Sequence, residues 1–217
     1  MDKDLEVIFV TGGRGTGKTT RVKKLLSDKN RKRIIVYDLK DEYPYKKLKG
    51  IREFAKFMKS NWRKSFKVAY VPTAKEKGEH IQELSDLCYI LAKAQKADCK
   101  TNNAKNLTIV AEEMSLSAPN QKYPSGQGGF EYAVNIAREW GIEIIGVSQR
   151  PAQANPDFRG NASISYYYGL TNSLDVKAVK ENIGNEALKL RTMQPHHYLL
   201  AQRGVVTSGK NVLSRKK

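Results

Sequence analysis

Cysteine is scarce in this chain: Cys88 and Cys99 are the only two among 217 residues, and no C-x-x-C pair is present. That argues against a disulfide framework and predicts two free thiols in a reducing compartment. Histidine is equally rare, at three. His80 stands alone, and the adjacent His196 and His197 would point to opposite faces of an extended segment, so no metal cluster is expected. Long apolar runs are missing as well. The longest are strand-sized, well short of the ~20 residues of a spanning helix, and the N-terminal "MDKDLEV" has no signal-peptide character. The expectation is a soluble intracellular protein. Acidic residues are also few: 22 Asp and Glu stand against 39 Lys and Arg, a formal charge of +17. An excess this lopsided implies a polyanionic partner, nucleic acid first and an anionic membrane surface second.

What the chain does have is concentrated near its start, in "VIFVTGGRGTGKTTRVKKLL". Gly12, Gly17, Lys18 and Thr19 satisfy G-x-x-x-x-G-K-[ST], the phosphate-binding loop pattern. "LEVIFV" before it reads as a strand buried on both faces. Val22, Leu25 and Leu26 after it recur on one helical face. Between them the residues Gly12, Gly13, Arg14, Gly15, Thr16, Gly17, Lys18, Thr19 and Thr20 are expected to bind nucleotide. Glycines let backbone N–H groups turn inward on an anion, the new helix points its positive end there, and Lys18 reaches the terminal phosphates. Thr19 is the expected hydroxyl ligand to Mg²⁺. A plain glycine-rich turn is the bland alternative.

Strand-like segments recur along the chain: "RIIVYD", "KVAYV", "LTIVAE" and "IEIIGVS", with helical patterns at about 18–28, 47–60, 80–97 and 129–140. This alternation predicts an α/β fold with a central, mostly parallel sheet flanked by helices. "ISYYYGL", an amphipathic "LDVKAVKENIGNEALKL", and the pair "HYLLAQ" and "GVVTS", turned at Arg203-Gly204, would extend the sheet. No linker divides the chain, so one domain over 1–217 is expected, with a basic tail at about 209–217. The Ser/Pro/Gly-rich segment at about 114–129 reads as a flexible or functional loop.

"LTIVAEEMS" ends a buried strand in two acids. Glu112 is placed to support a metal and Glu113 to orient or deprotonate a water. Solvated strand-end acids are the competing reading. The pair favours hydrolysis over a kinase, which would waste ATP with a carboxylate poised over water. Gln149, at the end of "IEIIGVS", fits either a γ-phosphate sensor or a satisfied strand-end amide. "QKAD" at 95–98 only loosely matches a guanine-reading pattern and lies inside a helical stretch.

The order "GGRGTGKTT", "YDLKDEY", "IVAEEMS", "AREWGIEIIGVSQRP" and "FRGNASISYYYGLTN" resembles the FtsK–HerA superfamily of P-loop ATPases. In size it is similar to the genome-packaging ATPases of membrane-containing icosahedral DNA viruses. The resemblance covers about residues 5–175, and "SQRP" with the preceding "AR..G" is its most specific part. It implies a RecA-like core, ATP with Mg²⁺, and hydrolysis in a homo-oligomeric ring, six subunits first and five as the alternative. It further implies double-stranded DNA in the channel and a capsid vertex, with its virion or membrane-associated proteins, as partner. No small-molecule substrate beyond ATP is implied, and the setting is host cytoplasm or virion vertex. By position, Lys18 and Thr19 hold phosphate and metal, Glu112 supports the metal, Glu113 is the catalytic carboxylate and Gln149 the sensor. Glu112 departs from the Asp common there. Arg138, in "AR..G", would reach a neighbour's γ-phosphate, with Arg150 and Arg159 as competitors. Asp38 and Glu42 match a "D…EY" pattern whose role the sequence does not disclose. Lys122 and Tyr123 would contact DNA. The implied activity is a packaging motor; an ATP-gated DNA-binding or assembly factor without processive movement is the alternative.

Overall fold

Val7–Thr11 forms the first strand, β1, and all five of its residues are buried. Its successive side chains point to opposite faces, so Ile8 and Val10 join one core and Val7 and Phe9 the other. The computed structural model describes residues 5–121 and 128–212, with backbone alone at 137 and 138. After β1 come α1 (Lys18–Leu26), β2 (Arg33–Tyr37), β3 (Lys46–Lys49), α2 (Gly50–Asn61), β4 (Phe66–Val71) and α3 (Lys77–Lys100). Next are β5 (Leu107–Ala111), α4 (Met114–Ser117), α5 (Gly129–Ile136), β6 (Ile142–Ser148), α6 (Pro156–Asn161), β7 (Ile164–Tyr167), α7 (Ser173–Ile183), β8 (His197–Gln202) and β9 (Val205–Lys210). Among the described residues the strands form one nine-stranded sheet in the order β3-β4-β2-β5-β6-β1-β7-β8-β9. All pairs through β7 are parallel, and the last two pairs, β7 with β8 and β8 with β9, are antiparallel, so among the described strands β8 alone runs against the rest.

The two faces are covered unequally. Val22 and Leu26, one turn apart on α1, pack with Ile8, Val10, Ile34, Val36, Val110, Ile145 and Val147. The opposite face carries the larger core, in which Leu84, Leu87, Cys88, Leu91 and Ala92 of α3 meet Phe9, Ile35, Ile109 and Ile144. Gly129 begins α5 hard against α3: a Cβ there would meet the Ser85 carbonyl oxygen at 2.2 Å. With both faces covered, β2, β5 and β6 are buried along their whole length like β1.

Several boundaries differ from the sequence expectation. The helix expected at 47–60 begins at Gly50, and residues 46–49 form an edge strand instead. Its "KKLK" has a single buried residue, Leu48, so no period could show, and lysines suit an exposed edge. α3 starts three residues early because Glu76 and Glu79 form a reciprocal capping box. The helix expected over 129–140 stops at Ile136 and tightens to a 3₁₀ turn at Ala137–Trp140. Gln95 donates to the Trp140 carbonyl at 2.8 Å and pins that turn under the sheet. The final hairpin turns at Arg203 and Gly204 with φ of 51° and 76°, as the mirror-image two-residue turns require.

Candidate active site

Three parallel neighbours, β5, β6 and β1, end side by side, so the segments that follow them converge on one spot. The turn after β1 supplies the phosphate-loop residues. Gly17 caps α1 with φ 106°, a conformation that L side chains rarely adopt, and a Cβ there would meet His196 at 2.7 Å and Asn211 at 2.8 Å. The turn is held from several sides. The Gly13 N–H donates to the Gly169 carbonyl at 2.8 Å, the His196 N–H to the Thr16 carbonyl at 2.9 Å, and Asn211 Nδ2 to the Gly17 carbonyl at 2.8 Å. Lys18 Nζ folds back over the turn onto the Gly13 carbonyl at 2.8 Å. Burial pushes the Lys18 amine down to about 8, aided by Lys40 and opposed by Glu113, Glu112 and Glu42. Such an ammonium gains from an added anion.

At the end of β5, Glu112 is buried and accepts a short hydrogen bond from the Tyr43 hydroxyl. Burial pushes its carboxyl up to about 7, against the pull of the Tyr43 hydroxyl and with a further push from Glu42. The Glu113 carboxyl is shifted the other way. It sits in the left-handed region at φ 49°, ψ 60°, an unusual place for a non-glycine residue and one that turns its carboxylate into the cleft. One oxygen accepts from Lys40 Nζ at 2.6 Å and Gln149 Nε2 at 2.8 Å, the other from the Ser115 hydroxyl at 3.0 Å. Burial alone would raise its pKa, but Lys40, Ser115 and Gln149 outweigh it and hold the carboxyl below its ordinary value. α4, which Glu113 caps, can sit down on the sheet because β6 has Gly146 beneath it: a Cβ there would meet Met114 Sδ at 2.4 Å.

The loop after β2 closes the site. Asp38, 2% exposed, accepts from the Glu42 and Tyr43 N–H groups at 3.1 and 3.3 Å and pairs with Lys47 at 2.9 Å. It organises the loop that presents Lys40 to Glu113, Glu42 to the Thr19 hydroxyl at 3.1 Å, and Tyr43 to Glu112. Sequence reasoning matched Asp38 and Glu42 without a role and missed Lys40 and Tyr43. Their signal lay in topology, since β2 lies beside β5 in the sheet.

These segments enclose a cavity of about 340 Å³. Arg14, Gly15, Lys18 and Thr19 line one wall, Lys40 and Glu42 a second, and Glu112, Glu113, Val147 and Gln149 the third. Gly12, Gly13, Thr16, Gly17 and Thr20 lie in the turn or the first turn of α1 without lining it. A larger cavity of about 570 Å³ lies between α2 and α3, lined by Ile51, Tyr70, Tyr89 and Ile90 among others, and shares none of these residues.

The remaining expected residues lie elsewhere. Arg138 belongs to the 3₁₀ turn before β6. β6 is the fifth of nine strands, so this turn sits below the middle of the sheet, at the strand-start end, and not at a lateral edge as expected. Arg150 follows Gln149 but is tied to the buried Asp175 at 2.6 Å. Arg159 has its nearest carboxylate, Glu181, at 3.9 Å. Lys122 and Tyr123 lie outside the described residues. The front of the loop expected at 114–129 is packed: residues 114–117 are helical, and the Asn120 N–H donates to the Gln153 carbonyl at 2.7 Å.

A mostly parallel sheet flanked by helices, with a glycine turn leading from β1 into α1, is the fold of the P-loop NTPases. The genome packaging NTPase B204 from Sulfolobus turreted icosahedral virus 2 superposes with a TM-score of 0.73 at 16% identity, over 98% of this chain and 100% of that one. VirB4 of Thermoanaerobacter pseudethanolicus matches at 0.69 and 10% identity, over 96% and 90% of the two chains. EssC (ATPases 2 and 3) from Geobacillus thermodenitrificans matches at 0.63 and 12% identity, over 99% of this chain and 41% of that one. At such identities the likeness is one of fold. No family model and no curated protein matches the sequence. Among the described residues no helix is long and apolar enough to cross a membrane.

Proposed function

We propose that this chain hydrolyses ATP to move double-stranded DNA, and that its task is to package a viral genome into a preformed capsid. One observation carries the hydrolytic part: Lys18 and Thr19 share a cavity with an ionised Glu113 that Gln149 and Lys40 hold in place. The fold likeness to a genome packaging NTPase, whose structures hold AMP, ATP-gammaS and AMPPCP, supports the packaging part. The +17 charge supports a DNA cargo.

In this reading the N–H groups of the turn and the positive end of α1 bind the phosphates, and Lys18 offsets their terminal charge. A water attacks the γ-phosphorus, Glu113 takes its proton, and ADP leaves as inorganic phosphate forms. Gln149, within 2.8 Å of Glu113, orients that water. The 2.6 Å Lys40–Glu113 pair holds the carboxylate ionised and must lengthen before it receives the proton. Magnesium fits the donor set: the Thr19 hydroxyl and the Glu42 and Glu112 carboxylates are hard oxygens lining one cavity. Bound there, it would neutralise charge on the phosphates. Copies of the chain form a ring, six in number, in which Arg138 serves the neighbouring site.

Two substitutions test the division of labour. Lys18→Ala lowers both ATP affinity and turnover. Glu113→Gln keeps ATP binding but lowers hydrolysis by roughly 10²- to 10⁴-fold. A Glu113→Gln protein turning over at more than half the parent rate removes that residue from the mechanism.

A further inference from the structure

β2 and β5 start at the end of the sheet opposite the phosphate turn, and between their first residues lies a second polar cavity, of about 470 Å³. Asn30, Lys32, Arg33, Ser65, Lys105 and Asn106 line it, and no acid does. Arg33 is only 2% exposed. Its Nη1 donates to the Lys105 carbonyl at 2.6 Å and to Gln95 Oε1 at 3.1 Å, while Nε and Nη2 are buried without a hydrogen-bond partner. Among the described residues it makes no ion pair. Its guanidinium lies over the rings of Trp62 and Phe66, at 4.3 and 5.5 Å from their centroids. The nearest carboxylate to act on it, Asp98, already accepts from Trp62 Nε1 at 2.7 Å.

Two residues away, Arg31 shows how this fold compensates a half-buried arginine. It grips Glu143 with Nε at 2.7 Å and Nη2 at 2.6 Å and pairs with Asp28 at 3.2 Å. Arg33 has only neutral acceptors and ring faces, which replace part of the hydration a buried cation loses. Burial pushes its guanidinium down to about 10, so it stays charged at neutral pH. A buried cation without a counter-ion, beneath a cavity flanked by two exposed lysines, is a field that selects an anion.

We propose that this cavity binds a phosphate oxyanion, with Lys32 and Lys105 as its direct ligands and Arg33 as the fixed charge beneath. The source is either the backbone of a nucleic acid or free phosphate. The experiment has one arm for each. In full-length protein carrying Trp140→Phe, Trp62 becomes the sole tryptophan and reports on the ring that stacks on Arg33. Inorganic phosphate at constant ionic strength should change its emission saturably, and Lys32→Ala with Lys105→Ala should abolish that response. For DNA, the slope of log affinity against log salt should shrink by about 0.9 in the double variant, the share of the one phosphate that both lysines hold. A reduced slope assigns the site to the DNA backbone. A saturable Trp62 response with an unchanged slope assigns it to free phosphate. No saturable response together with an unchanged slope overturns the proposal. Arg33→Met, which keeps the apolar stem, should act like the double variant. Should it fail to fold, the two exposed lysines still decide the matter. ATP turnover without DNA should be unchanged in the lysine variant.

Discussion

Glu112 makes stability depend on pH in a direction opposite to that of most carboxylates. Its folded-state pKa is raised from the ordinary 4.5 to about 7, with burial as the main cause. A raised acid contributes stability that is fully present below its unfolded pKa and lost as pH rises through the folded one. At about 1.4 kcal/mol per pKa unit, ionising it inside the fold costs about 3 kcal/mol. Glu113, held below its ordinary value by Lys40, Ser115 and Gln149, works the other way. The parent protein alone would therefore blur the effect. Glu112→Gln isolates it, because the amide oxygen can still accept from the Tyr43 hydroxyl but cannot ionise. The assay is urea unfolding in the presence of a chelator, at pH 5 and pH 8, followed by tryptophan fluorescence. Near pH 5 the variant should match the parent or fall slightly below it. At pH 8 it should gain on the parent by about 3 kcal/mol relative to that baseline. A difference between variant and parent that is the same at both pH values refutes the reasoning. Magnesium at pH 8 should stabilise the parent more than the variant.

Two further expectations concern the site's neighbours. Lys40→Ala removes the 2.6 Å ion pair, so the Glu113 carboxyl rises toward its ordinary value and the acidic limb of the pH–rate profile moves to higher pH; an unmoved limb would mean that Lys40 does not reach Glu113 in the working enzyme. Mixing Arg138→Ala subunits with Glu113→Gln subunits, each inactive alone, should restore part of the ATP turnover, and no recovery in mixtures shown by light scattering to have exchanged subunits returns Arg138 to a role within its own chain.

The central strands were legible because each is an apolar run buried on both faces, and a run such as "LTIVA" needs no partner to be recognised. The glycine turn was legible for a local reason too, since its backbone geometry is written in four fixed positions. "KKLK" was not, because a lysine-rich edge strand with one buried residue has no period. Lys40, Glu42 and Tyr43 show the deeper limit. They meet Glu113, Thr19 and Glu112 across 73, 23 and 69 residues of sequence, and only the placement of β2 beside β5 brings them there. Asn211 is the same case: it reaches the Gly17 carbonyl across 194 residues, from a segment whose composition suggested only a basic tail. The charge excess was visible as a total, but the uncompensated Arg33 within it was not, since only the fold decides which arginines find a carboxylate.

The central claim, that ATP hydrolysis here is coupled to duplex DNA, is tested most directly by ATP turnover of the purified protein as a function of duplex length. The account predicts that turnover rises once the duplex exceeds a single footprint, that Glu113→Gln abolishes the rise, and that the response weakens steeply with salt. Turnover that is indifferent to duplex DNA at every length, in protein that binds both ATP and DNA, would contradict it.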